Sequence, residues 1–305
     1  MLKLLLSKAI GAAATMLAVL TFVFLLVRLT GDPVRLLLPD QATQADVDAM
    51  RAALGLDRPL VIQFVDFLRA ALSGDLGQSI RQGRPAVDMV LERLPATLEL
   101  AVLAFATGFV AAVLLAVLAE ITRSARLRSL LLWLATIRQA IPPYLFGILL
   151  ILVLSVNLAL LPAIGRGGWQ SYIIPVVTMA TFEIALYLRL IGASFDATRR
   201  LDWVRTARAK GVSRQRIVFR HMLPNALLPV ITVAGINFGV LVGGTVVLET
   251  VFNWPGLGRL IVQAVTQRDY PVVQAGVIVI AGFFILINLV VDLLYVLLDP
   301  RVRLA

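Results

Sequence analysis

The sequence predicts an all-α integral membrane protein with six transmembrane helices and both termini in the cytoplasm. Three observations predict it. First, 60% of the 305 residues are apolar, against about 45–50% in a soluble domain. Second, several windows of about 20 residues are almost free of charge, the length that crosses roughly 30 Å of hydrocarbon. Third, the basic residues alternate in density between successive connections. Segments 1–8, 120–128, 192–226 and 299–305 hold 15 Lys and Arg against four acids. The opposite connections hold ten, most of them in one long loop that counts little in setting orientation.

Composition also excludes whole classes. The chain has no cysteine and a single histidine, His221, so it has no disulfide framework, no thiol nucleophile and no multi-histidine metal centre. Its net charge of +10 is read as a positive-inside excess rather than a nucleic-acid surface. No Ser-His-Asp set and no pair of intramembrane aspartates supports a membrane enzyme. None of the three lysines, Lys3, Lys8 and Lys210, follows a glycine, so the chain has no P-loop to hold nucleotide phosphates.

Along the chain, Lys3 and Lys8 precede an apolar run from Ala9 to Val27. It is longer than a signal-peptide core and ends without a small-residue cleavage site, so a retained first span is expected. Residues 30–96 carry nine acids and seven bases. Thr43 is placed to cap a helix running through Leu54, with Asp46 and Asp48 in its first turn. A second short helix is expected over Pro59–Leu72. The later spans are expected at about Thr97–Ala119, Ser129–Ser155, Ser171–Ile191, Leu227–Leu248 and Pro271–Leu298. Pro142 and Pro143 should kink or break the third. In the loop 249–270, Leu257, Leu260, Ile261, Ala264 and Val265 fall at helical spacing, which predicts a short helix along the membrane surface. The chain thus divides into the N-terminus and first span (1–29), an extramembrane subdomain (30–96) and a five-span core (97–305). That core contains the basic loop 192–226 and the outer loop 249–270.

The stretch Asp202–Asn225, DWVRTARAKGVSRQRIVFRHMLPN, is the most basic in the chain. One or two short helices are expected over Leu201–His221, with Gly211 permitting a turn between them. Pro224 marks the entry to the fifth span. On charge alone this loop either orients the chain or grips a partner.

Its spacing resembles the cytoplasmic motif of bacterial ABC importer permeases: Glu-Ala-Ala, three residues, Gly, nine residues, Ile, one residue, Leu-Pro. Ala207, Gly211, Leu223 and Pro224 match, while Arg205, Thr206 and His221 replace the Glu, the first Ala and the Ile. RLPATLELA (93–101), NALLPV (225–230), ETVFNWPGLGRL (249–260), RDYPVVQA (268–275) and DLLYVLLDPRVR (292–303) are similar to segments of di- and oligopeptide importer permeases. The resemblance implies a type I ABC importer permease fold in a bacterial inner membrane. It implies a second homologous permease subunit forming a heterodimer, two ABC ATPase subunits, and a periplasmic or lipid-anchored solute-binding protein. It implies that this chain binds no cofactor, with ATP and Mg used by the ATPase subunits. Arg205, Thr206, Ala207, Gly211, Leu223 and Pro224 then form the ATPase-coupling loop. Residues 30–96 become a periplasmic subdomain, and Trp254, Pro255, Leu257 and Tyr270 offer docking contacts to the binding protein. Dipeptides, longer peptides, glutathione, nickel complexes and opine-like compounds are all cargoes of similar permeases.

Inside the spans, Gly235, Gly239 and Gly243 are four apart, a small-residue face that lets another helix come close. That helix belongs either to the second permease or to this chain. Arg138 and Glu183 both fall near mid-depth, where a charge is costly unless paired or wet. They are expected either to pair or to face an aqueous path, with Asn237, Gln139, Asn288 and Asp292 as lesser polar candidates. An ion-coupled secondary transporter would explain these charges, but it calls for an internal repeat and leaves the basic loop unexplained.

Overall fold

The computed structural model describes residues 2–29, 34, 38, 41–53 and 55–298. The tail 299–305 and the side chain of Asp292 lie outside the described residues. Among those described, five helices are long and apolar enough to cross a membrane, or six if a sharply bent pair is counted as one span. The chain divides into two compact units, residues 1–97 with 255–286, and residues 98–254 with 287–305.

The first unit contains α1 (Leu2–Leu29), α2 (Gln44–Ala53) and α3 (Leu60–Leu72). Thr43 caps α2 reciprocally. Its backbone N–H and hydroxyl donate to the Asp46 carboxylate at 2.9 and 2.7 Å, and the Asp46 N–H donates back to the hydroxyl at 3.3 Å. This is the two-way bonding that satisfies orphan donors at a helix start. The donors also hold the Asp46 carboxyl below its usual pKa. α3 packs on α1 through Phe24, whose ring meets Phe64 at 5.2 Å and Phe67 at 5.7 Å. Arg28 Nε donates to Gln63 at 3.0 Å.

Helix α4 (Ala86–Thr122) starts well before the expected Thr97 and runs through the expected subdomain boundary at 96/97. Its beginning, α11 (Leu257–Thr266) and the start of α12 (Tyr270–Leu298) complete the first unit. Here the structure corrects the sequence. Leu257, Leu260 and Ala264 do not face lipid; they are buried against Ala86, Met89, Val90, Val272 and Ala275. An amphipathic pattern specifies an apolar partner, not which partner. Gly276 permits the approach, because a Cβ there would stand 2.5 Å from Ile261 Cγ1.

The second unit continues α4 and adds α5 (Ala125–Ala140), α6 (Pro143–Leu150), α7 (Gln170–Arg199), α8 (Asp202–Ala209), α9 (Arg214–Ile217) and α10 (Leu223–Val251). Helix α6 continues as a π-helical segment, Ile151–Asn157. The third span is broken as its prolines require: α5 and the α6 segment meet at 99°. Pro143 opens α6, where its missing N–H costs no hydrogen bond. One core joins the spans to the basic segment: Ala112, Ala116, Ala185, Tyr187, Ile191 and Phe195 pack in a cluster with Val204, Ile217, Val218 and Met222.

Candidate functional site: a basic helix clamped to two spans

The basic segment folds as two short helices. Asp202 lies in the first turn of α8 and Arg208 in its last, each sign favourable to the helix dipole. Gly211 ends the element with φ +73°, a left-handed conformation that costs other residues strain. A Cβ at Gly211 would meet nothing within 4 Å, so its backbone conformation, not crowding, calls for glycine. After α9 the backbone widens into a π-helical turn, Val218–Met222, before α10 begins at Leu223 with Pro224 in its first turn.

This arrangement sorts the residues into anchors and presented groups. Val204, Ile217, Val218 and Met222 are buried, and Ala207, Val212 and Leu223 pack partly buried against the same core. Arg205, Thr206, Arg208, Ala209, Lys210 and Pro224 are exposed. The Thr206 hydroxyl turns back to donate to the Asp202 carbonyl at 3.0 Å. His221 is half-buried, its ring 6.2 Å from that of Trp203.

A network not singled out in the sequence holds this segment to the spans. Glu120, near the end of α4, is 5% exposed. Arg199, at the end of α7, forms an ion pair with its carboxylate. Arg214, at the start of α9, donates from Nε to the Glu120 backbone carbonyl at 2.8 Å and reaches the carboxylate at 3.3 Å. Asp196 on α7 binds Arg128 of α5, with one hydrogen bond of 2.9 Å, and lies 3.2 Å from Arg199. One buried acid thereby ties α4, α7 and α9 together, and the half-exposed Asp196 ties α5 to α7. These groups line a cavity of about 740 Å³ that also includes Arg123, Arg189 and Arg208. The signal for Glu120 was its place as the acid of a short segment that also holds three arginines, between two spans and near the basic loop's register.

Mid-span, Arg138 and Glu183 do not pair. The Arg138 guanidinium donates to Thr181 Oγ1 at 2.9 Å and to the carbonyls of Ile141 and Thr178 at 3.0 and 2.7 Å. It also lies 4.2 Å from the Phe146 ring centroid. The Ile141 carbonyl is available because the helix breaks at Pro142. Glu183 accepts instead from Asn237 Nδ2 at 2.6 Å. Gln139 accepts from Arg189. Among the glycines, Gly235 packs within the chain: a Cβ there would stand 2.3 Å from Val291 Cγ2. Gly239 is buried, while Gly243 has open space around it.

The residues expected to offer docking contacts at the outer loop are turned into the chain. Trp254 and Leu257 are fully buried and Tyr270 is 9% exposed, so none presents its side chain to a partner; Pro255 is half-buried. The Trp254 ring meets Tyr172 edge-on at 4.8 Å. Tyr172 and Arg166 both donate to Glu99, at 2.9 and 2.5 Å. The Leu257 N–H donates to Thr97 Oγ1 at 2.8 Å. The rigid apolar residues that suggested a contact surface are the ones that fix the segment in place.

A family model for "Binding-protein-dependent transport system inner membrane component" matches residues 92–304. Its N-terminal companion matches residues 1–101. The glutathione transport system permease protein GsiC of Escherichia coli strain K12 is 40% identical over 304 residues, covering 99% of both chains. GsiC of Pectobacterium atrosepticum gives the same identity and coverage. Among solved structures, the inward-facing MetNI methionine ABC transporter aligns with TM-score 0.60 at 20% identity, over 69% of this chain and 96% of that one. An amino acid ABC transporter with histidines aligns with TM-score 0.53 at 19% identity, over 70% of this chain and 94% of that one. At that identity the likeness concerns the fold.

Proposed function

The chain belongs to the binding-protein-dependent transport system inner membrane component family, and we propose that α8 is the lever through which partner ATPases drive its spans. The protein is a multi-pass inner-membrane permease subunit of an ABC importer. On the proposed reading both termini and the basic segment are cytoplasmic, and the subunit pairs with a homologous permease. Two ABC ATPases bind its basic face and the corresponding face of that permease, supplying the ATP and Mg chemistry. A binding protein delivers cargo at the opposite surface. The cargo is a short peptide or peptide-like solute, with glutathione first among those to test, because relatives at 40% identity are named for it.

The observation that carries this reading is the Glu120 clamp. A force on exposed Arg205 or Arg208 passes through α8 and its turn to Arg214, and thence to α4 and α7 through one buried acid. A loop that merely oriented the chain would not call for that connection. The experiment is uptake into proteoliposomes carrying this chain with its neighbouring permease, ATPase and binding-protein genes. Uptake that requires ATP and the complete set supports the reading. Uptake by this chain alone, driven by an ion gradient, would overturn it.

A further inference from the structure

Glu183 on α7 is 1% exposed and lines a cavity of about 280 Å³ with Pro143, Phe182, Asn237, Val240 and Gly244. Among the described residues no basic side chain lines that cavity, and Glu183 is the acid in its lining. Among the described residues no Lys or Arg lies within ion-pair distance of this carboxylate. Arg138 is committed to Thr178, Thr181 and Ile141. The Glu183 carboxylate accepts from the Asn237 amide, which also donates to the Tyr187 hydroxyl at 2.9 Å. Both Asn237 and Tyr187 are neutral groups. The base of the Glu183 side chain is packed closely against a third helix: a Cβ on Gly108 of α4 would stand 2.6 Å from Glu183 Cβ and 2.9 Å from the Ala180 carbonyl oxygen.

A buried carboxylate whose partners are neutral is costly as an anion and is stabilised by a cation, and the cavity beside it has room for several water-sized groups. We propose that the cavity receives the primary ammonium group of a peptide-like solute, with Glu183 as counter-charge and Asn237 as the group that positions it. Phe182 and Val240 supply an apolar wall for the atoms next to the ammonium. This inference rests on the importer reading and adds to it the residues of this chain that would contact the solute's ammonium group.

The chain has no cysteine, so V240C places a single thiol on the cavity wall. The permease–ATPase complex, without binding protein, is treated with N-ethylmaleimide, and the labelling rate is read on this chain. The probes are Ala-Ala and N-acetyl-Ala-Ala. A charge-assisted contact predicts half-protection at a roughly tenfold lower concentration for Ala-Ala. The isosteric E183Q should erase that difference. Equal protection by the two probes, no protection by either, or a preference that survives E183Q would overturn the proposal. Should E183Q fail to assemble, E183D keeps the charge and should keep the preference; equal protection in E183D would overturn it. Uptake is measured in parallel with the complete system. ATP-dependent uptake together with an overturning result sinks the ammonium site alone, whereas absence of ATP-dependent uptake for every cargo tried sinks the importer reading.

Discussion

Arg214 donates from Nε to the backbone carbonyl of Glu120 at 2.8 Å, so the helix after the Gly211 turn is bonded to the end of a membrane span. That carbonyl belongs to the last turn of α4, where helical oxygens lack partners of their own. Arg214 therefore satisfies a terminal carbonyl and pairs with the side chain of the same residue.

Glu120→Ala removes the acid shared by Arg199 and Arg214. Because Glu120 is buried and its partners are one-quarter to one-third exposed, the expected loss is about 2 kcal/mol, below the cost of breaking a fully buried pair. The check is a thermal unfolding series in detergent. Glu120→Ala and Arg214→Ala should be markedly non-additive, since both delete the same contact.

Gly211→Ala meets no obstacle in space but forces a side chain into the left-handed region at φ +73°. The expected cost is about 1 kcal/mol, expressed as a displaced α8 rather than a damaged core. Hydrogen exchange should rise in Asp202–Ala209 and remain unchanged in α7.

Arg205→Glu should leave stability almost untouched, because the side chain is 77% exposed and its pairing with Asp202 is a solvated i,i+3 contact. On the proposed reading it weakens ATPase association, and the defect should grow as salt is lowered, since reversed charge repels more when screening is less. Co-purification across a salt series is the check.

Trp254→Ala separates support from docking. The ring is fully buried against Tyr172, so truncation should cost about 3 kcal/mol or more. Its effect on uptake should track folded protein. If the folded fraction stays normal while binding-protein affinity falls, the residue's role is contact after all.

Much of the fold was legible in the sequence, because length and apolarity limit what can cross a bilayer. Pro142 and Pro143 announced the break that the structure shows as a 99° bend, and Gly211 announced the turn between α8 and α9. Less legible was which surface an apolar residue meets. Trp254, Leu257 and Leu260 have the same pattern whether they face lipid, a partner or their own chain. The charges divided similarly. Spacing brought Arg138 and Glu183 to notice by depth, but helix rotation and the free carbonyl of Ile141 gave Arg138 other partners. Glu120 went unnoticed because an acid at a span end reads as solvated until the helices that enclose it are known.

The most direct test is the number of solute molecules taken up per ATP hydrolysed by assembled complexes carrying wild-type chain or Glu120→Ala. If the clamp transmits motion from α8 to α4 and α7, the variant hydrolyses ATP with uptake per ATP reduced at least about tenfold. An unchanged ratio in a variant shown to have lost the Arg214 contact would contradict the account.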